Sequence, residues 1–494
     1  MIETVEIDEP LSLEDHAQIV HLAEAVRFLR EQAAALLPRL RGRRVWMINS
    51  TARGGGVAEM LPKVVALLRE LGVPTEWAVM GSREPEFFVL TKRLHNLIHG
   101  HGDPLLTEEE HSLYAAVSAE NAGAMKRRLE RDDILVIHDP QPLGMGAQLK
   151  RELGIPTVFR CHIGLDERTP ETRAAWRFLR PFAEDCDHSI FSAPEYVPGF
   201  LSDQSDVIHP AIDPMSFKNR PLSATKLAGI LCNAGLMVSS EPVVPLSFAE
   251  AATRLAPDGS FAPIDARTDI GLLFRPIVTQ ISRWDRLKGW KPLLDAFVRL
   301  KSGRFTKRAG IADRHRRRLE LVRLVLAGPD PAAVADDPEA QEVLRELIDS
   351  YRDLPPSLMQ DVAVISLPMA SRKQNALMVN ALQLCSSVIV QNSLREGFGL
   401  TVTEGMWKHG AILGSRACGI RQQIRDGIDG RLVQDAEDPD ELAQLLDEML
   451  EDLPARARWG QSAQLRVHDQ FLVFAQVRRW LEVLAERADP SAPV

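Results

Sequence analysis

The chain has 494 residues, room for two to four domains at roughly 150 residues each. Apolar residues make up 45% and charged residues 26%, a mix that excludes an intrinsically disordered chain. A formal net charge of −9 without a basic block, and few aromatics, exclude a nucleic-acid or anionic-membrane surface. Cys161, Cys186, Cys232, Cys385 and Cys418 show no CxxC spacing, so free thiols are expected and not a disulfide framework or a zinc site. The acidic N-terminus, MIETVEIDEPLSLEDH, lacks the apolar core of a secretory signal, and no run of ~18 apolar residues occurs. The sequence thus predicts a cytoplasmic protein with no membrane partner.

In chain order, residues 13–41 read as helical. The apolar run 44–50 (RVWMINS) ends in the glycine turn Gly54-Gly55-Gly56 and leads into a helix that Gly72 closes. A strand at 75–81 follows, then a helix near 109–130, a strand at 134–139 and a helix at 142–152. Next come a strand at 156–162, a helix at 170–183 and a strand at 188–192. The grammar then repeats: strand 276–282, helix 289–301, strand 321–328, helix 336–352 and strand 361–366. Short strands are expected at 387–393, 411–415 and 430–435, and helices at 437–453 and 456–487. Strands alternating with helices imply an α/β protein with two parallel sheets, each covered on both faces. The expected domains are 1–215 and 216–470, with a C-terminal helix, 471–494, returning to the first. Residues 238–272 read as an insertion or long loop, and the basic run 314–320 as a solvated helix face.

Four clusters carry chemistry. Gly55 and Gly56 precede a helix N-terminus, where backbone N–H groups favour anionic groups. The absence of GxxxxGK[ST] counts against a P-loop. Arg283 and Lys288 follow a strand directly, and a forked guanidinium and a point charge five residues apart can converge on one anion. Glu396 and Glu404 flank a turn, Gly397-Phe398-Gly399-Leu400, whose backbone N–H groups can hold hydroxyls or phosphate oxygens. A bland reading remains for Glu404, as a helix-start carboxylate. His138-Asp139 and Arg160-Cys161-His162 end successive strands, at the edge where such sheets bind ligands. Metal binding is not expected of these histidines.

Together these clusters resemble the retaining glycosyltransferases of family four. More narrowly, NSTARGGGVAEML, EFFVLTKRLHNLIHG, HDPQP, FRCHIG, PEYV, AIDPMSFKN, LREGFGLTVTEGMWK and RQQIRDGIDGRLV resemble the trehalose synthases of the glucosyltransferring type, over about residues 10–485. The resemblance implies the GT-B architecture, two Rossmann-like domains facing a cleft. It implies a retaining glucosyltransferase making trehalose from glucose and ADP-, UDP- or GDP-glucose, reversibly or not. It implies no further cofactor, no metal and no nucleic-acid partner, and a homodimer would suit it. By the resemblance, Arg283 and Lys288 neutralise the leaving diphosphate and Glu404 binds the ribose. Glu396 and the Gly397–Leu400 backbone hold the donor glucose, His162 lies beside the transferred sugar, and Gly55 and Gly56 approach the donor. Glu59, Lys92, Asp139 and Gln141 are the acceptor candidates. Two stretches, 238–272 and 303–318, depart from the family as additions, and Gly164 stands where the family often has Asp. A phosphorylase working on glucose 1-phosphate, and a transferase with another acceptor, stay open beside the synthase.

Overall fold

The computed structural model describes residues 2–7, 12–40, 42–52, 56–238, 248–330 and 338–488. The chain divides into two compact units, residues 1–211 with 470–494, and residues 212–469.

The first unit is built on a seven-stranded sheet: β1 (Ile2–Thr4), β2 (Val45–Asn49), β3 (Thr75–Met80), β4 (Ile134–His138), β5 (Thr157–Arg160), β6 (His188–Phe191) and β7 (Ser205–Val207). Their spatial order is β1-β3-β2-β4-β5-β6-β7, parallel throughout except for β1 on β3. β2 and β4 are buried along their whole length. Such strands can be apolar at every position because helices cover both faces of a parallel sheet. The chain runs outward from β2 to β3, then returns to β4 on the other side of β2. The carboxyl ends of β2 and β4 therefore flank a topological switch point, where open α/β sheets bind ligands.

The second unit has eight strands: β8 (Thr253–Leu255), β9 (Phe261–Pro263), β10 (Ile277–Ile281), β11 (Arg323–Pro329), β12 (Val362–Leu367), β13 (Val388–Gln391), β14 (Ile412–Gly414) and β15 (Arg431–Leu432). The order is β15-β14-β13-β10-β11-β12-β8-β9. The strands from β10 to β15 pair with one another in parallel, with the switch point between β10 and β13. Sequence segments 282–289 and 392–399 leave those two strands and so meet at one sheet edge.

Several expectations need correction. The stretch 238–272 is not simply a long loop: its β8 and β9 form a hairpin that extends the sheet antiparallel to β12. Residues 239–247 lie outside the described residues. The helical stretch 13–41 is two helices, Leu13–Ala17 and Val20–Leu40. The stretch 456–487 is also two, Leu453–Gln470 and Val473–Ala488, the break falling at buried Phe471 and Leu472. The basic run forms the helix Asp313–Leu321, with Arg314, Arg316 and Arg317 exposed. Its His315, however, is buried and bonds Asp447 at 2.7 Å.

Candidate active site

In the second unit the chemistry gathers beyond β10 and β13. After β10, Asp285 caps the short turn Arg286–Lys288 by accepting from the Leu287 amide at 2.8 Å. Gly289 then adopts φ 61°, and a Cβ there would lie 2.2 Å from the Asn392 carbonyl oxygen. Only glycine lets the two loops approach so closely. They are also stitched by hydrogen bonds. Leu394 N donates to Leu287 O at 2.7 Å. Buried Gln280 donates to Lys288 O at 2.7 Å and accepts from Asn392 N at 3.0 Å.

This stitching sets Lys288 against Glu396. Nζ lies 2.7 Å from Oε2, with the two side chains 12% and 15% exposed, and Ser393 Oγ donates to the same oxygen at 3.2 Å. A charge-assisted pair that is largely out of water is stronger and less screened than a surface pair. Arg283 is not drawn into it. It is largely exposed, 3.5 Å from Asp285, and remains available to an incoming anion.

The turn from Glu396 to Leu400 is held from behind. Gly399, at φ 83°, precedes the helix Leu400–Trp407. Gln423, fully buried, donates to the carbonyls of Phe398 and Gly399 and accepts from Thr403 Oγ1. Gly419 N donates to Glu396 O at 3.0 Å, and a Cβ on Gly419 would lie 2.2 Å from Phe398 Cα. Gly397 is different, since a Cβ there meets nothing within 4 Å. Glu404 is the fifth residue of its helix and is buried, so it is not a helix-start carboxylate on the surface. Lys218 Nζ lies 3.5 Å from its Oε1. Lys408 donates to Glu404 O at 3.1 Å and to Asn219 Oδ1 at 3.3 Å. Burial brings the Lys408 ammonium down to about 7, with Glu404 opposing that fall.

In the first unit a second cluster lies beyond β4 and β5. Asp139 takes φ 66°, an uncommon conformation for a residue with a Cβ. Its N–H donates to Arg160 O, and its Oδ1 accepts from His162 N, both at 2.8 Å. Tyr114 fixes the next loop, its hydroxyl donating to Pro140 O at 2.6 Å and accepting from Gly144 N at 3.0 Å. His138 Nδ1 lies 2.9 Å from His162 Nε2, the rings nearly parallel at 11°. Burial, and then Arg160, hold the His138 imidazole down to about 3 and that of His162 well below its ordinary value. Burial pushes the Asp139 carboxyl up to about 6. Its bond to the His162 backbone gives Asp139 a part in shaping this loop. Gly164 has room for no side chain: a Cβ would stand 2.1 Å from Tyr196 Cγ.

The remaining expected residues are placed as follows. Gly55 lies outside the described residues, and Gly56 opens the helix Gly56–Glu70, where a Cβ would meet nothing within 4 Å. Glu59 is exposed in that helix's first turn, Lys92 is exposed on the helix Pro85–Ile98, and Gln141 is half-buried beside Asp139. Sequence reasoning overlooks His95 and His99, which stand in HxxxH spacing with ring centroids 5.0 Å apart. Burial, His99 and Lys92 bring His95 down to about 4. Among the described residues, His315, Asp447 and Glu451 form a three-ligand cluster, and Arg308 bonds both of its carboxylates.

Comparison with known proteins gives these two clusters a context. Residues 47–198 match the family model of the trehalose synthase N-terminal domain, and residues 273–466 that of glycosyl transferases group 1. The trehalose synthase of Pyrococcus horikoshii is 33% identical over 477 residues, 96% of this chain and 95% of that protein. The chain belongs to the trehalose synthase family. The trehalose phosphorylase of Pleurotus sajor-caju is more distant, 25% identical over 80% of this chain and 51% of its own length. The alpha,alpha-trehalose-phosphate synthase (UDP-forming) of Burkholderia xenovorans, solved with glucose-6-phosphate, superposes at TM-score 0.59 and 15% identity. It covers 90% of this chain and 100% of its own, a likeness of fold. This member of the trehalose synthase family is thus a retaining hexosyltransferase with the GT-B fold, acting in trehalose chemistry. No helix among its described residues is long and apolar enough to cross a membrane.

Proposed function

We propose that this chain makes trehalose by transferring glucose from a nucleotide-diphosphate glucose to glucose, a reaction it can also run in reverse. The observation that carries this reading is the Lys288–Glu396 pair, 2.7 Å apart at the switch point of the second sheet, with buried Glu404 on the adjoining helix. One ammonium and one nearby guanidinium, Arg283, suit a diphosphate. Two carboxylates eight residues apart suit the hydroxyls of two different sugars in one extended donor.

In this reading the anomeric C–O bond breaks toward an oxocarbenium-like glucose and a diphosphate anion. Lys288 and Arg283 stabilise the charge that develops on the leaving oxygens, the kind of fixed electrostatic aid that often contributes most to catalysis. Glu396 and the amides of Gly397 to Leu400 hold the glucose hydroxyls, and Glu404 the ribose. The acceptor hydroxyl attacks the same face, and its proton passes to the departing phosphate oxygen. Configuration is retained, and neither Glu396 nor Glu404 acts as a base. Asp139 and Gln141 are assigned to the acceptor together with Glu59 and Lys92, and His162 to the transferred sugar.

The phosphorylase reading keeps Lys288 and Arg283 for glucose 1-phosphate and leaves Glu404 without a ribose. A donor panel separates the two. Purified protein with glucose is offered ADP-, UDP- and GDP-glucose, and separately glucose 1-phosphate. The proposal expects disaccharide with release of a nucleoside diphosphate. Disaccharide from glucose 1-phosphate alone would replace it with the phosphorylase reading.

A further inference from the structure

We propose that His138 is a positioning residue that fixes the tautomer of His162, so that His162 offers Nδ1–H as a hydrogen-bond donor to a bound sugar. The inference rests on the reading above only in taking a sugar as what His162 meets.

The geometry leaves two arrangements. His138 Nδ1 and His162 Nε2 are 2.9 Å apart, so one of them must donate to the other. Neither ring gains a second proton easily, because His138 is fully buried, His162 is half-buried, and both share the field of Arg160, whose side chain is buried. Each neutral imidazole then carries one proton, on one nitrogen. If His162 donated through Nε2, the proton of His138 would stand on its Nε2. That atom is buried and has no hydrogen-bond partner among the described residues. Trp480 lies beside it, with ring centroids 6.0 Å apart and the planes tilted by 45°, but its indole N–H is a donor and not an acceptor. A buried N–H without an acceptor is among the rarest features of folded proteins, and it costs the full desolvation of the group.

The other arrangement avoids the orphan donor. His138 carries its proton on Nδ1 and gives it to His162 Nε2, and its own Nε2 keeps only a lone pair. His162 must then carry its proton on Nδ1. His162 is half-buried where His138 is fully buried, so the atom left over belongs to the more accessible ring. Asp139 holds the same loop through the His162 backbone amide at 2.8 Å, so ring and backbone are both fixed. The outcome is a neutral donor of set direction, fit to bind a hydroxyl and unfit to take up its proton. Orienting a ligand group through the hydrogen bond made by the other ring nitrogen is a general use of histidine.

The test is long-range proton–nitrogen NMR on protein labelled with ¹⁵N-histidine, the His162 signals being assigned with His162→Gln. The expected result is His162 protonated at Nδ1 and bare at Nε2, unchanged from about pH 5.5 to 8.5. Protonation at Nε2, or an imidazolium in that range, would overturn the proposal. Two variants add a functional readout. His138→Leu should let the His162 tautomer redistribute and lower kcat about tenfold, the weight of one well-placed hydrogen bond. His138→Asn, whose amide N–H can stand near the place of Nδ1–H, should restore both tautomer and rate. A His138→Leu protein with wild-type spectrum and rate would count against the proposal. If that variant does not fold, the wild-type spectrum decides alone. The spectrum also separates this proposal from the glucosyltransferase reading: a chain that turns over no sugar can still show the tautomer, and an active chain can lack it.

Discussion

Gly419→Ala is the substitution whose effect the structure prescribes most closely. The new Cβ would stand 2.2 Å from Phe398 Cα, 2.5 Å from Phe398 N and 2.6 Å from the Gly397 carbonyl carbon. Carbon atoms in contact sit about 3.5 Å apart, so the two segments must separate by about 1.3 Å. All three obstructing atoms are backbone, and no side chain can swing away to make room. The moving segment follows Glu396, whose carbonyl accepts from Gly419 itself and whose carboxylate is tied to Lys288. Misplacing a binding group by about 1 Å can cost roughly a hundredfold in rate. Overpacking of this kind costs about 1–3 kcal/mol in stability, a few degrees in Tm for a unit of this size. The expected result is kcat/KM down about a hundredfold, measured as initial nucleoside diphosphate release, with a lower Tm. Gly397→Ala is the control, because its Cβ enters open space. It should leave Tm unchanged and raise KM for the donor, if the sugar approaches that backbone. Near-native kcat/KM and Tm for Gly419→Ala would refute the claim that the Glu396 turn is set by this contact.

Three further outcomes are expected. Lys288→Met should lower kcat about 10²–10³-fold while the protein still folds, by circular dichroism and single-turnover rates; a loss below tenfold would remove Lys288 from leaving-group stabilisation. Asp139 has its carboxyl raised from 3.8 to about 6, so between those values the folded chain binds more protons than the unfolded one. Its contribution is most favourable below about pH 4 and is lost as pH rises to about 6, on the order of 3 kcal/mol; Asp139→Asn should flatten that part of a denaturant-derived stability curve. Gly164→Ala drives a Cβ to 2.1 Å from Tyr196 Cγ and should destabilise strongly, by about 1–3 kcal/mol, and pairing it with Tyr196→Ala should remove that clash, seen as non-additivity in a double-mutant cycle.

The parallel strands of both sheets were legible because strands buried on both faces are continuous apolar runs, as in ILVIH and VAVISL. The edges were not. β1 and β7 are three residues each and carry no alternation, and the β8–β9 hairpin lies in a stretch rich in turn residues. The site was legible where the chemistry lies in one string, as in REGFGLTVTE. It was hidden where the partner is distant in sequence. Nothing in the spacing joins Lys218 to Glu404, Gly419 to Phe398 or Gln280 to Asn392, because only the packing of segments distant in sequence creates those contacts. The sequence also could not separate Lys288 from Arg283: one is paired with Glu396 and the other stands in solvent, although they are five residues apart. Lys408 likewise reads as an ordinary helix-end lysine until the fold buries it.

The most direct test of the central claim, that this chain is a retaining transferase using a nucleotide-diphosphate glucose, is a carbon NMR time course. Donor glucose carries ¹³C at C1, and the acceptor glucose is unlabelled. The account predicts α,α-trehalose with one labelled anomeric carbon, formed in step with nucleoside diphosphate. An inverted linkage, or no disaccharide from any nucleotide sugar, would contradict it.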